Sequence, residues 1–171
     1  MSVRAEIRKV TKNVSKAIKG DEGADDILDT LKAEHEEVSE LLDKLVDSEA
    51  AGARKKLVQQ IRQALIPHTK AEEKVVYDAV LALRDKDAKI DGEEGYIEHD
   101  LAAKTLDKLD KIANATSPEH KAAAKVLREL VKHHVEEEED NIWSDVEDNF
   151  SDEQREQMNR AFLAAKKKVR V

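Results

Sequence analysis

The sequence contains no cysteine, which excludes disulfide bridges, thiolate metal sites and cysteine nucleophiles. Aromatic residues make up only 3% of it, and its 171 residues include five glycines and two prolines. That scarcity disfavours a β-sandwich, and the dominant usage of Ala, Leu, Glu, Lys, Asp and Val is that of long helices. No segment approaches the roughly twenty apolar residues of a membrane span. Positive charge is outweighed, with 30 Lys and Arg against 38 Asp and Glu for a formal charge of -8, which opposes a nucleic-acid footprint over the whole fold. Met1 to Val10 is charged and has no apolar run, so a cytoplasmic protein away from membranes is the expectation. Any chemistry has to use His, Asp, Glu, Tyr or hydroxyl groups.

What is present is helical periodicity. An amphipathic stretch over 2–19 ends at Gly20, a C-capping residue, and a short acidic linker closes a first unit, 1–24. Four long helices follow in 25–147. The first, about 25–47, keeps Leu28, Leu31, Val38, Leu42 and Leu45 on one face together with His35. The second, about 53–83, carries Leu57, Ile61, Leu65, Val75 and Leu83 in a stripe that passes through His68 and Glu72, with Pro67 expected to kink it. Asp91-Gly92 reads as a turn before a third helix over about 94–113, which aligns His99 with Ala102, Leu106 and Leu109. Ser117-Pro118 starts the fourth, with Leu127, Leu130, His134 and Glu138 in its stripe. Ser151 with Gln154 has capping-box spacing and opens a last helix, in a third unit 148–171, that packs outside the bundle. The basic residues Arg4 to Lys19 and Lys166, Lys167, Lys168 and Arg170 read as solvated helix ends, and the terminal helices as the surfaces open to a protein partner.

The chain repeats itself. His68 to Val80 aligns without a gap on His134 to Val146, matching the histidine, both following glutamates, an aliphatic, an aromatic and the final valine. His35 precedes Leu42-Asp-Lys-Leu45 by the same step as His99 precedes Leu106-Asp-Lys-Leu109. Each half thus reads His, then His-x-x-x-Glu. Residues four apart share a helix face, so His68 with Glu72 and His134 with Glu138 are chelating pairs, and a bundle brings them to its axis with His35 and His99. Six donors in near two-fold symmetry suit two metals. Buried carboxylates need compensating charge, and an imidazole and carboxylate set favours iron, then manganese or zinc, over calcium or magnesium. His120 and His133 read as solvated or supporting residues, Glu136 to Asp140 as a solvated acidic face apart from Glu138, and Tyr77 and Trp143 as packing residues facing away from the metal.

This pattern over 25–147 resembles the hemerythrin-like family, the HHE cation-binding domain. The resemblance implies an up-down four-helix bundle, here with extra N- and C-terminal helices. It also implies two iron ions with a bridging oxo or hydroxo group, held by His35, His68, Glu72, His99, His134 and Glu138. The implied ligand is O2, hydrogen peroxide or nitric oxide, in peroxide or O2 reduction, stress response, or iron and oxygen sensing. The sequence departs from the oxygen-carrying branch at Ala103, where that branch has a second histidine, and at Glu139, where it has a ligating aspartate. Those departures favour a more open centre, with Glu139 as a competitor of Glu138.

Overall fold

A computed structural model describes residues 25–171; the expected helix over 2–19, its cap at Gly20 and the unit 1–24 lie outside the described residues. Asp26 starts α1 (Ile27–Asp47) as an N-cap, its carboxylate accepting from Leu28 N at 3.0 Å. α2 (Ala51–Glu72) runs through Pro67 and continues into a π-helical segment, π1 (Glu73–Tyr77), and a short α3 (Asp78–Leu81). α4 covers Lys86–Lys111, and α5 (Pro118–Glu137) passes through a second π segment, π2 (Glu138–Ile142), into α6 (Trp143–Asn149). Ser117 caps α5, and the reciprocal capping box of Ser151 and Gln154 opens α7 (Asp152–Lys166), both as the sequence predicts.

α1 packs on α2 and α5, and α4 packs on α5 and α2, so the four rods form an all-α bundle with short connections. α7 lies across α1 and α2 and buries Phe162 among Ile27, Leu31 and Tyr77. No helix among the described residues is long and apolar enough to cross a membrane.

The expected turn at Asp91-Gly92 is instead the interior of α4, which starts six residues earlier at an Asp85 cap. The glycines serve packing rather than a turn. A Cβ on Gly95 would lie 2.7 Å from the ring of Tyr77, so α4 approaches π1 more closely there than other residues permit, whereas one on Gly92 would lie 3.1 Å from Leu81 Cδ2, a tight contact in which the leucine side chain can yield.

Two apolar clusters fill the bundle. Val38, Leu42, Ile61, Leu65, Leu106, Leu127 and Val131 form one, while Ile27, Leu31, Ala71, Val76, Val80, Ile142 and Val146 form the other. Full burial of each large aliphatic contributes about 1.5–3 kcal/mol. That sum offsets a polar layer between the clusters: His35 lies between Leu31 of one and Val38 of the other, and His134 between Val131 and Ile142. At the far end Arg54 is buried and ties two loops, donating to Ser48 O at 2.6 Å and Ala115 O at 2.8 Å.

Candidate metal centre

All six residues singled out from the sequence meet in the polar layer. Each is buried, Glu72 completely and Glu138 to 2% exposure. The rings of His35 and His68 stand 5.0 Å apart by centroid, and His99 Nε2 lies 3.0 Å from His134 Nε2, which gives two histidine pairs. The glutamates lie between the pairs. Glu72 Oε2 is 3.3 Å from His68 Nε2 and 3.4 Å from His99 Nε2. Glu138 Oε2 is 3.3 Å from His35 Nε2 and 3.5 Å from His134 Nε2. Each carboxylate therefore faces one histidine of each pair, an arrangement that shares both glutamates between two positions instead of assigning one to each.

The chemistry of the donor set fits a pair of cations. Both oxygens of Glu72 and both of Glu138 are buried without a hydrogen-bond partner, as is His35 Nε2, whose approach to Glu138 is close but poorly directed for a hydrogen bond. Such groups are expensive to bury uncompensated. Burial works against charge on Glu72, yet the neighbouring imidazoles His68 and His99 overcome it and hold the carboxyl well below its usual range. Burial likewise opposes a proton on His68, but Glu72 and Glu34 outweigh it and raise the pKa to about 10. The inward carboxylates thus demand positive charge, which a cation at the same place supplies in exchange for the protons.

A second ring of carboxylates, missed in the reading of single positions, holds the outer nitrogens of the histidines. Glu34 Oε2 lies 2.9 Å from His68 Nδ1, and Glu98 Oε2 lies 2.8 Å from His134 Nδ1. Glu139 Oε1 is 3.2 Å from His35 Nδ1, and Glu73 Oε1 stands 3.4 Å from His99 Nδ1 as a charge partner without a hydrogen bond. Partners of this kind fix ring orientation and tautomer and leave Nε2 as the inward donor. The signal was in the repeat: a glutamate precedes each lone histidine, and a second glutamate follows each Glu of His-x-x-x-Glu. Glu139 is therefore not part of a wholly solvated face, since it turns onto the outer nitrogen of His35.

Tyr77 and Trp143 also depart from expectation. On a regular helix the ninth residue after His68 points about 180° away from it, but a π segment absorbs one extra residue and turns Tyr77 to about 80°. Its hydroxyl lies 3.4 Å from His99 Nε2 and 3.5 Å from His134 Nε2. Burial, reinforced by Glu138 and Glu72, pushes its phenol well above the usual range, so it is neutral. The second π segment brings Trp143 to His35 in the same way, with ring centroids 6.1 Å apart and planes 17° from parallel.

His133 is exposed, as expected of a supporting residue, whereas His120 is buried, contrary to its reading as solvated. It sits at the Arg54 end of the bundle, where burial and the guanidinium lower its pKa. α7 completes the enclosure on the other side. Phe162 packs edge-on against His68 at 5.8 Å, and Lys166 Nζ lies 2.6 Å from Glu34 Oε1.

Residues 26–144 match the hemerythrin HHE cation-binding domain. A protein from Nostoc sp. (strain PCC 7120) described as a DNA nickase is 30% identical over 143 residues, which cover 84% of this chain and 40% of that protein. The chain spans less than half the length of this curated relative. No solved structure gives a significant match.

Proposed function

The chain belongs to the hemerythrin HHE cation-binding domain family, and from that premise we propose that its polar layer holds two iron ions and binds or reduces O2, hydrogen peroxide or nitric oxide. The observation that supports this best is the pair of buried glutamates, whose four oxygens lack hydrogen-bond partners and which each face one histidine of both pairs. His35 and His68 would hold one ion, His99 and His134 the other, and Glu72 and Glu138 both. Iron bound there would polarise a small ligand and exchange electrons with it, with an external reductant restoring the ferrous state for each turnover.

The chain's own residues then set what a ligand meets. Glu34, Glu98 and Glu139 hold three of the imidazoles by Nδ1, and Glu73 faces the Nδ1 of the fourth, His99. Leu31, Val76 and Phe162 exclude water on one side, and Val38, Leu65 and Val131 on the other. Tyr77 keeps a proton on its hydroxyl beside His99 and His134. That proton is available to a reduced oxygen species on this side only, because Trp143 stands at the equivalent place in the other half. Ala103 supplies no donor where the oxygen-carrying branch has a histidine, which supports reaction over reversible carriage.

The test is metal content with an optical spectrum after aerobic purification. The proposal expects two iron ions per chain and the charge-transfer bands of an oxygen-bridged iron pair. Less than about one iron per chain with no such bands would refute it.

A sensing role is the second reading, favoured by the contact chain from Lys166 through Glu34 to His68, which joins α7 to the centre. Amide exchange in α7 that changes with metal or ligand, without peroxide turnover, would select it. The DNA-directed activity of the Nostoc protein is not carried over, since this chain covers 40% of that protein and its formal charge of -8 opposes a polyanion.

A further inference from the structure

The two halves of the repeat differ at the surface. In the first half α7 covers the outer carboxylate: Lys166 neutralises Glu34, and Phe162 packs on His68. The residues there are Pro67 and Ala71, one before His68 and three after it. The positions equivalent to these in the second half are His133 and Glu137, and among the described residues no helix covers them. His133 Nε2 lies 3.7 Å from Glu98 Oε1 and 3.4 Å from Glu137 Oε1, and the three side chains offer donor atoms within 4.8 Å of one another.

Two of the trio, Glu98 and Glu137, line a narrow crevice of about 10 Å³ together with Asp91, Glu94, Gly95 and Glu138, and His133 stands beside Glu98 at 3.7 Å. The crevice reaches a group that wants a cation. Glu138 is 2% exposed, lines its wall, and has both carboxylate oxygens without a hydrogen-bond partner. Glu98 spans the distance between outside and inside, with Oε1 toward His133 and Oε2 on His134 Nδ1 at 2.8 Å. The remaining lining carboxylates, Asp91 and Glu94, concentrate cations at the opening.

We propose that Glu98, His133 and Glu137 form an outer divalent-cation site that captures a metal ion, which sheds its waters to pass along this crevice to Glu138 and His134. One imidazole and two carboxylates suit the same class of ion as the buried centre, and the exposure of His133 keeps one donor free to exchange with water, which allows release. The inference rests on the buried layer holding metal. It adds a one-sided route, at the face that α7 leaves open.

The experiment follows cobalt(II), which is visible by its d–d absorption and does not change oxidation state on binding, into metal-free full-length protein. The double variant His133→Ala/Glu137→Ala alters only side chains on the outer face. Loading of the buried centre is expected to slow by roughly tenfold, the lower end of the effect of a charged funnel on an association rate. The final cobalt content of the buried centre is expected to equal that of the unmodified chain. Equal loading rates would overturn the route and leave the buried centre standing. A lower final content in the variant would also overturn it, since His133 and Glu137 would then hold metal instead of delivering it. If neither protein takes cobalt into the buried layer, the reading of the centre fails together with the route.

Discussion

The ring of Tyr77 occupies the space that a Cβ at Gly95 would need, with ring atoms 2.7 Å from that position. The relation couples two helices, because π1 turns Tyr77 inward and α4 accepts it only through a missing side chain.

Gly95→Ala is therefore expected to destabilise the bundle even though Ala is the better helix former. The gain in propensity is about 1 kcal/mol, and overpacking against a fully buried ring costs about 1–3 kcal/mol. A net loss near 1 kcal/mol is the balance of those two effects. Gly92→Ala meets the side chain of Leu81 at 3.1 and 3.2 Å and Val80 at an ordinary 3.7 Å, contacts that a small shift of Leu81 relieves, so propensity should win there. Denaturant unfolding of both variants in metal-free form checks the contrast. A Gly95→Ala protein as stable as Gly92→Ala would show that Tyr77 has room to move.

His68→Ala and His134→Ala remove one nitrogen from each histidine pair and leave carboxylates short of positive charge, so both should lose most bound metal. His120→Ala should retain it, since that residue sits at the Arg54 end of the bundle, outside the polar layer. Because His120 is buried, its truncation should still cost about 1–3 kcal/mol. Metal analysis beside unfolding curves separates the two effects. Equal metal retention in all three proteins would remove His68 and His134 from the ligand set.

His120 also carries a pH signature. Its pKa is lowered in the fold by burial and then by Arg54, so the folded chain favours the neutral ring. Above the ordinary value of 6.5 both states are neutral and stability owes nothing to pH at this residue. As pH falls below it, the unfolded chain takes up the proton first, and stability is lost until the lowered folded value is reached. His120→Asn should lose less stability than the unmodified chain between about pH 7.5 and about pH 5.5, compared without metal. A larger loss in the variant would contradict the assigned direction.

Much of this centre was legible because it repeats. His35, His68, Glu72, His99, His134 and Glu138 stood out as polar residues in apolar stripes at matching steps, and the structure brings all six together. Tyr77 and Trp143 were misplaced because a regular 3.6-residue turn was assumed, and nothing local in Glu73–Tyr77 or Glu138–Ile142 announces a π segment. The turn expected at Asp91-Gly92 failed for a related reason. Glycine there answers a neighbour across the bundle, Leu81, which helix periodicity cannot see. His120 was misread for lack of tertiary knowledge, since its position in the first turn of α5 suggests solvent and only the folded-over Arg54 end shows otherwise.

Glu34 holds His68 Nδ1 at 2.9 Å while its other oxygen meets Lys166 of α7 at 2.6 Å. Glu34→Gln should weaken metal binding by roughly ten- to a hundredfold, the range found when a carboxylate behind a ligating histidine is removed. Competition with a chelator of known affinity measures it. Lys166→Ala, which leaves the carboxylate on His68, should change affinity far less. Equal losses in the two variants would show that enclosure by α7, and not the hold on His68, sets the affinity.

Tyr77 and Trp143 occupy equivalent positions in the repeat but give the two halves of the centre different chemistry. The Tyr77 hydroxyl, neutral and buried, lies 3.4 Å and 3.5 Å from the inward nitrogens of His99 and His134. Trp143 presents a ring face to His35. On the proposed reduction, the proton for a reduced oxygen species would come from Tyr77 and not from Trp143. Tyr77→Phe should keep the metal, because the hydroxyl is no part of the six-residue donor set, and should slow peroxide turnover by roughly ten- to a hundredfold, the range of a positioned proton donor. Trp143→Phe preserves an aromatic face and should leave turnover within about twofold, as expected when no transferring group is removed. Metal loss in Tyr77→Phe would make Tyr77 a ligand, and unchanged turnover with full metal would show that the proton reaches the site from elsewhere.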